Sequence, residues 1–190
     1  MRLILVRHTR PEAADNVCHG VTDLDVAATF DEEAARVVAA LPAVERLVTS
    51  PLRRCMRLAE RIGAARGLVP VVDGRIREMD FGRWERVPWK DIDRTELDAW
   101  AADFLHARPH GGESVAMVSE RVGSALADYR RSGVSHAVVT HAGVIKAARA
   151  AAGCADAWRT SAGFGDAVRI EFPAEPEHLP SGPREVESWD

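Results

Sequence analysis

An arginine and a histidine follow the first apolar run of the chain, and this pair of residue types is suited to phosphoryl chemistry. Residues 3–6 are apolar, and Arg7 and His8 come directly after them. Open α/β sheets bind ligands at the edge where the strands end, so both side chains would meet a ligand there. The positive charge of Arg7 disfavours an imidazolium and would keep His8 neutral, while the guanidinium itself binds phosphate oxygens. The pair predicts that His8 is a nucleophile that attacks a phosphoryl group.

A second strand end carries two arginines. The run at residues 46–49 ends at Ser50 and Pro51, and Arg53 and Arg54 follow. Pro51 suits the first turn of a helix and Ser50 is a candidate N-cap, so the arginines would enter on that turn. Because a helix N-terminus and a guanidinium both attract anions, the junction predicts a phosphate site. At this point the alternative of an exposed arginine pair on a helix surface stays open.

A third junction and an acidic segment complete the candidate site. The β-branched run at residues 136–140 ends at His141, and Gly143 would permit a close approach of another group to the backbone. Residues 76–85 place carboxyl groups beside aromatic side chains. We expect a carboxyl group in such surroundings to have a raised pKa and to act as a general acid.

The elements that must position these residues alternate along the chain. Short apolar runs predict strands at residues 3–6, 46–49, 69–72, 136–140 and 168–172. Apolar residues at helical spacing predict helices at residues 30–41, after Pro51, at 113–131 and at 142–152. Strands that alternate with helices of this length form βαβ units. The prediction is therefore an α/β fold, a three-layer α/β/α sandwich with a mostly parallel sheet.

One domain over residues 1–172 accommodates these elements, because 190 residues suit a single core of ordinary size. Residues 75–110 break the alternation and are rich in tryptophan, arginine and aspartate, which predicts an insertion over the active site, either as a substrate lid or as packing. Residues 173–190 contain four prolines and several glutamates, and we expect them to be extended or disordered.

Composition excludes several function classes. The net charge of −4 leaves no broad basic surface for nucleic acid or a membrane, and no apolar run approaches the length of a membrane span. Three cysteines without a C-x-x-C spacing argue against a zinc site or a disulfide framework. The N-terminal apolar stretch is too short for a signal peptide. These features predict a reduced, cytoplasmic protein with no metal and no cofactor.

Five motifs, in this order and spacing, resemble the histidine phosphatase superfamily. They are Val6–Thr9, Thr49–Arg54, Arg77–Glu85, Gly111–Ser114 and Val139–Gly143. The resemblance covers roughly residues 1 to 172 and implies the phosphoglycerate-mutase-like fold. Its implied activity is that of a phosphoric monoester hydrolase that works through a phosphohistidine.

The resemblance also implies a role for each matching residue. His8 would become the phosphohistidine, and Arg7 and Arg54 would clamp the phosphoryl oxygens. His141, as an imidazolium, would be a second histidine in contact with the phosphoryl group. Glu78 would protonate the leaving alkoxide and then activate water. Three cationic side chains would offset the charge of the transition state, so no metal is needed.

Within the superfamily, the chain is most similar to the short bacterial branch that includes α-ribazole 5′-phosphate phosphatase, an enzyme of cobalamin nucleotide-loop assembly. Residues 78–85 and 96–100 favour that branch. Trp84, Trp89 and Trp100 either stack on an aromatic base of the substrate or anchor the insertion. Further substrate contacts are expected from Arg10, Thr22, Glu113 and Trp84, and Asp80 is the alternative to Glu78 as the acid.

Three other functions stay open from the sequence: a phosphatase of broad or unrelated specificity, a phosphoglycerate mutase, and a phospho-ligand binder without turnover. The intact set of His8, Arg54, Glu78 and His141 argues against the binder. The expected partner is a small phosphorylated metabolite, with no nucleic acid and no membrane. A homodimer is an open hypothesis, because the sequence does not determine the oligomeric state.

Overall fold

A computed structural model describes residues 2–172, and five strands form one sheet at its centre. The strands are β1 (Leu3–Arg7), β2 (Arg46–Thr49), β3 (Val71–Val72), β4 (His136–Thr140) and β5 (Ala167–Ile170). Their order across the sheet is β3-β2-β4-β1-β5. All neighbours are parallel except β5, which runs antiparallel to β1 at one edge. The predicted mostly parallel sheet is therefore confirmed.

Helices cover both faces of this sheet. They are α1 (Phe30–Ala40), α2 (Arg53–Arg66), α3 (Arg94–Ala102), α4 (Val115–Arg131) and α5 (Ala142–Ala151). Because successive residues of a strand point to opposite faces, Ile4 and Val6 pack with α1 and α2, whereas Leu3 and Leu5 pack with α4 and α5. The structure thus confirms the predicted three-layer α/β/α sandwich.

Two local predictions are wrong. The strand predicted at residues 69–72 shortens to Val71–Val72, since Pro70 has no N–H for a ladder and Val69 is 84% exposed. Ser50 is not the N-cap of α2, because the helix begins at Arg53 with Leu52 in the cap position. The Ser50 hydroxyl instead lies 2.7 Å from His141 Nε2.

The segment at residues 75–110 contains α3 and short 3₁₀ turns at Gly82–Trp84 and Trp89–Asp91. It encloses a small third core of Cys18, Trp84 and Ile92, against which Trp100 packs. The predicted tail at residues 173–190 lies outside the described residues. No helix within residues 2–172 is long and apolar enough to cross a membrane.

Candidate active site

The carboxyl ends of three neighbouring parallel strands bring two histidines and an arginine together. His8 follows β1, Arg54 lies in the first turn of α2 after β2, and His141 links β4 to α5. Arg54 Nε lies 3.3 Å from His8 Nε2, and Arg54 Nη2 lies 3.3 Å from His141 Nδ1. The two imidazole rings are 5.1 Å apart between centroids. These three residues, separated widely in the sequence, therefore form one cluster.

Hydrogen bonds define which nitrogen of His8 carries a lone pair. Nδ1 lies 2.7 Å from the carbonyl oxygen of Thr9, and a carbonyl oxygen only accepts, so Nδ1 is protonated. Nε2 then keeps its lone pair and accepts a hydrogen bond from Arg54 Nε. Burial lowers the pKa of His8 to about 3, with further contributions from the positive charges of Arg54 and Arg7. His8 is neutral as predicted, but burial and Arg54 contribute more to this than the adjacent Arg7.

His141 lies behind Arg54 and does not line the cleft. Arg54 can only donate, so Nδ1 of His141 accepts and its Nε2 donates to the Ser50 hydroxyl at 2.7 Å. Burial, followed by the nearby titratable ring of His8 and the positive charge of Arg54, lowers the pKa of His141 well below its ordinary value. The expected imidazolium is therefore corrected: His141 is a neutral imidazole that holds Arg54.

Arg54 is anchored by backbone carbonyls of a loop without regular secondary structure. Its Nη2 donates to the carbonyl of Gly20 at 2.7 Å, and its Nη1 donates to the carbonyl of Thr22 at 2.8 Å. Only 2% of the residue is exposed. These contacts fix the guanidinium plane, so that Nε points to His8.

Arg7 approaches the same cleft from the other side of His8. Its Nη1 donates to the carbonyl of Ala162 at 2.6 Å, and its guanidinium carbon lies 4.0 Å from the centroid of the Phe164 ring. The Nε of Arg7 has no hydrogen-bond partner within residues 2–172. Arg7 thus keeps donors available for an anion, while Phe164 supports its planar face.

Glu78 lies at the N-terminus of α5. Its Oε1 accepts from the N–H of Met79 at 3.0 Å, and its Oε2 accepts from the N–H of Gly143 at 3.2 Å. A β-carbon on Gly143 would lie 2.4 Å from Glu78 Oε1. The close approach predicted at Gly143 therefore exists, and the approaching group is the Glu78 carboxyl.

Arg7, His8, Arg54, Glu78 and Gly143 line one cleft of about 640 Å³. The remainder of its surface is largely apolar. Its aromatic members are Phe81, Trp89, Trp100, Phe104, Trp158 and Phe164. Arg10, Lys146 and His19 add basic groups to the lining. The arrangement offers an anion site beside a nucleophile, and an aromatic space for the rest of a ligand.

Of the additional contacts expected from the sequence, only Arg10 lines the cleft. Thr22 uses its carbonyl for Arg54 and its hydroxyl for Glu85. Trp84 is buried and its indole nitrogen donates to Glu96 at 2.7 Å. Because these polar groups are already engaged inside the protein, the expectation that Thr22 and Trp84 contact substrate is corrected.

Glu113 is likewise engaged away from the cleft. Its carboxylate pairs with Arg121 at 2.9 Å and with Arg77 at 3.1 Å, and it accepts from the N–H of Asp80. Its expected contact with substrate is therefore corrected to a role in joining α4 to residues 77–80. Asp80 accepts from the N–H of Gly82 and is not part of the cleft lining.

The structure adds residues that sequence reasoning missed. Phe164 packs on Arg7 and lies 5.5 Å from the His8 ring, between centroids. Lys146 lies one helical turn beyond Ala142 on α5, so the spacing of residues 142, 143 and 146 could have indicated it. Phe164 lies in a segment without periodicity, and no sequence signal marks it.

Comparison with known proteins gives a consistent result. The family model described as the histidine phosphatase superfamily (branch 1) matches residues 3–170. A probable phosphoglycerate mutase GpmB of Klebsiella pneumoniae is 31% identical over 134 residues, which are 67% of this chain and 62% of that protein. Glucosyl-3-phosphoglycerate phosphatase of Mycolicibacterium vanbaalenii is 32% identical over 126 residues, which are 63% of this chain and 56% of that protein.

A solved structure extends the similarity over most of the fold. The α-ribazole phosphatase of Shigella flexneri superimposes with a TM-score of 0.78 at 26% identity, covering 90% of each chain. By sequence, the match spans 62% and 56% of the length of the two curated relatives. The names of these three proteins differ in substrate.

Proposed function

Because the chain belongs to the histidine phosphatase superfamily, branch 1, we propose that it is a metal-independent phosphomonoesterase that forms a phosphohistidine on His8. The observation that carries the proposal is the state of His8 Nε2. This atom has a lone pair and lies 3.3 Å from Arg54 Nε, within a cleft that Arg7 and Glu78 also line. A neutral nucleophile beside two guanidinium groups is the arrangement that phosphoryl transfer needs.

In the first step, the N–H of Arg54 Nε moves from His8 Nε2 to a phosphoryl oxygen, and the freed lone pair of Nε2 attacks the phosphorus atom. The bond between phosphorus and the leaving oxygen breaks, and its electron pair goes to that oxygen, which takes a proton from Glu78. The imidazole becomes positively charged as the N–P bond forms, and the Thr9 carbonyl, 2.7 Å from Nδ1, stabilises that charge. Arg7 and Arg54 offset the charge on the equatorial oxygens.

In the second step, water replaces the leaving group. The Glu78 carboxylate accepts a proton from the water, whose oxygen attacks phosphorus, and the N–P bond breaks with its electrons returning to His8 Nε2. Inorganic phosphate then leaves, and His8 is again neutral. The N–H groups of Met79 and Gly143 hold Glu78 in place for both proton transfers.

The aromatic part of the cleft supports a substrate with a flat, apolar leaving group. Trp89 and Trp100 line it, which keeps the sequence interpretation for these two indoles, whereas Trp84 does not. Our first candidate substrate is therefore α-ribazole 5′-phosphate, whose benzimidazole would stack there. The resemblance to the Shigella α-ribazole phosphatase supports this choice. It would place the protein in cobalamin nucleotide-loop assembly, as a cytoplasmic enzyme that acts on a small metabolite and needs neither nucleic acid nor a membrane.

A second candidate follows from the basic residues of the cleft. The side-chain ammonium of Lys146 has no hydrogen bond or ion pair within residues 2–172, whereas the guanidinium of Arg10 lies 3.8 Å from Asp15 and 5.2 Å from the centroid of the Phe164 ring. The unpaired charge of Lys146 in the cleft would favour a second anionic group on the leaving side. Phosphoglycerate-type esters, which the names of two relatives include, carry such a group.

Phosphate release in EDTA from three esters tests the proposal. Wild type and His8→Ala are compared on α-ribazole 5′-phosphate, 3-phosphoglycerate and p-nitrophenyl phosphate. We expect turnover by the wild type only, with the highest kcat/KM for the ribazole ester. Similar slow rates on all three would favour a broad-specificity phosphatase. Binding of the esters without turnover by the wild type would overturn the enzyme proposal and favour a phospho-ligand binder.

A further inference from the structure

The carboxylate of Glu85 collects five hydrogen bonds from two segments of the chain. Oε2 accepts from the N–H of Gly20 at 3.1 Å, from the N–H of Thr22 at 2.9 Å and from the Thr22 hydroxyl. Oε1 accepts from the N–H of Val21 at 2.9 Å and from the N–H of Phe81 at 3.1 Å. Three successive N–H groups of the loop at residues 20–22 therefore point to one carboxylate.

The carbonyl groups of the same loop point the other way, to Arg54. Gly20 and Thr22 accept from its Nη2 and Nη1 at 2.7 and 2.8 Å. Residues 20–22 lie in no helix or strand, and their three N–H groups donate to Glu85 instead of to backbone carbonyls. The loop therefore connects the carboxylate of Glu85 to the guanidinium that contacts His8.

We propose that Glu85 is a positioning residue for phosphoryl transfer, which holds Arg54 against His8 through the loop at residues 20–22. The inference rests on the proposed function, because the anion that Arg54 would bind is the phosphoryl group. Glu85 does not line the cleft, and it acts on the substrate only through Arg54.

Packing and charge both support this role. A β-carbon on Gly20 would lie 2.0 Å from the Met79 carbonyl oxygen and 2.4 Å from Glu85 Oε1, so the loop packs closely against the carboxylate. Burial alone would raise the pKa of Glu85, but hydrogen bonds from Thr22, Phe81 and Gly20 hold that pKa below its ordinary value. The group is thus an anion that orders the loop.

A glutamine cannot replace this anion. Oε1 faces two N–H donors and Oε2 faces two N–H donors and a hydroxyl, so an amide NH2 in either position would meet at least two donors. Unpaired buried donors are costly, and the loop would move away. Arg54 would then lose its two carbonyl anchors and its alignment with His8 Nε2.

The test is the affinity of the full chain for inorganic phosphate, measured by calorimetry and as competitive inhibition of p-nitrophenyl phosphate turnover. Glu85→Gln is expected to bind phosphate about tenfold more weakly or worse, the loss of roughly one charge-assisted hydrogen bond. Glu85→Asp keeps the charge and should recover part of the affinity. Glu96→Gln is the matched control, since Glu96 accepts from Arg83 and Trp84 in the same insertion without contact to loop 20–22. Its phosphate affinity should equal that of the wild type.

A spectroscopic readout separates positioning from simple loss of stability. When Arg54 moves away from Nε2, His8 loses a neighbouring positive charge, so the pKa of His8 should rise in Glu85→Gln and not in Glu96→Gln. NMR of protein with labelled imidazole rings measures this pKa. If Glu85→Gln does not fold, Thr22→Val removes one of the five donors, and the same changes should appear at smaller size.

The outcomes distinguish the two proposals. If the wild type and a folded Glu85→Gln variant bind phosphate with equal affinity, and the pKa of His8 is the same in both, the positioning role of Glu85 is wrong. The proposed function would not be affected. A Thr22→Val variant identical to the wild type overturns the positioning role in the same way. Wild type without affinity for phosphate overturns the proposed function, and this inference with it.

Discussion

The carboxyl group of Glu78 lies directly against the backbone of Gly143, to which it is bound by a hydrogen bond of 3.2 Å from N–H to Oε2. Oε1 is so close that a β-carbon on residue 143 would be 2.4 Å away. The carboxyl group of the proposed proton donor therefore packs in direct contact with the first turn of α5. Position 143 is restricted to glycine by the acid, not by an unusual backbone conformation.

Gly143→Ala should displace Glu78 while leaving His8, Arg7 and Arg54 in place. General acid catalysis matters most when the leaving group is a poor one, so we expect kcat/KM for an alkyl phosphate to fall about 10²-fold. The loss on p-nitrophenyl phosphate should be much smaller, because p-nitrophenolate leaves without a proton. Glu78→Gln should give the same selective loss. Steady-state kinetics on both esters provide the measurement.

Gly123→Ala is the matched control, since Gly123 lies in the interior of α4 and a β-carbon there would meet no atom within 4 Å. It should keep full activity and gain up to about 1 kcal/mol of stability from helix propensity. Equal slowing of both esters by Gly143→Ala and Glu78→Gln would show that Glu78 is not the proton donor.

The positions of the strand ends explain why several residues of the site could be predicted from the sequence. His8, Arg54 and His141 each follow an apolar run, and parallel strands must bring their carboxyl ends to one edge of a sheet. Local periodicity therefore predicted the three junctions, whereas the choice of Arg54 as the phosphate ligand came from the family resemblance. The mistaken cap at Ser50 also has a local origin, because a serine before a proline is an N-cap pattern, whereas tertiary contact with His141 determined its position.

Residues on irregular segments could not be predicted in this way. Glu85 and Phe164 act through loops at residues 20–22 and 162–166, which have no repeating pattern. The choice among tryptophans had the same limit. Trp84 and Trp89 both lie in 3₁₀ turns five residues apart, and only packing against Cys18 and Ile92 buries the first while the second lines the cleft. Which tryptophan is buried depends on tertiary packing, and neither composition nor residue spacing indicates it.

Acid should destabilise the protein through His8. Its pKa is about 3 in the folded chain against an ordinary value of 6.5, so between these values the unfolded chain binds the proton that the folded chain excludes. The contribution of His8 to stability is complete above about pH 6.5 and is lost as pH falls toward about 3, by at most about 1.4 kcal/mol per pH unit. Urea unfolding of the wild type at about pH 7 and about pH 5 should show this loss.

His8→Asn should have a smaller difference between the two pH values. It should retain part of the difference, since burial also lowers the pKa values of His141, His110 and His136. His106→Asn, at an exposed position, should behave like the wild type. A His8→Asn variant with the full wild-type acid sensitivity would contradict a neutral, buried His8.

Activity should survive chelation of metal ions. Arg7 and Arg54 supply the positive charge that a divalent cation would otherwise place at the phosphoryl oxygens, and His8 supplies the nucleophile without a metal-bound hydroxide. Dialysis against EDTA should leave kcat on p-nitrophenyl phosphate unchanged, while a zinc-dependent phosphatase treated in parallel is inactivated. Loss of activity that a divalent metal restores would refute the metal-independent mechanism.

Variants of Trp89 and Lys146 should distinguish the two candidate substrate classes. Both residues line the cleft, but Trp89 offers an aromatic surface and Lys146 a positive charge. Stacking of one base on an aromatic side chain is worth roughly 1–3 kcal/mol, so Trp89→Ala should lower kcat/KM for α-ribazole 5′-phosphate at least about fivefold. Lys146→Met keeps an unbranched side chain without charge, and it should leave that substrate nearly unaffected. Leu105→Ala, at an exposed position outside the cleft lining, controls for loss of apolar surface.

The reverse pattern would contradict base stacking in the cleft. In that pattern, Lys146→Met causes a large loss of kcat/KM on 3-phosphoglycerate, and Trp89→Ala causes none on the ribazole ester. This pattern would identify the leaving group as an acidic one, held by the lysine one turn beyond Ala142.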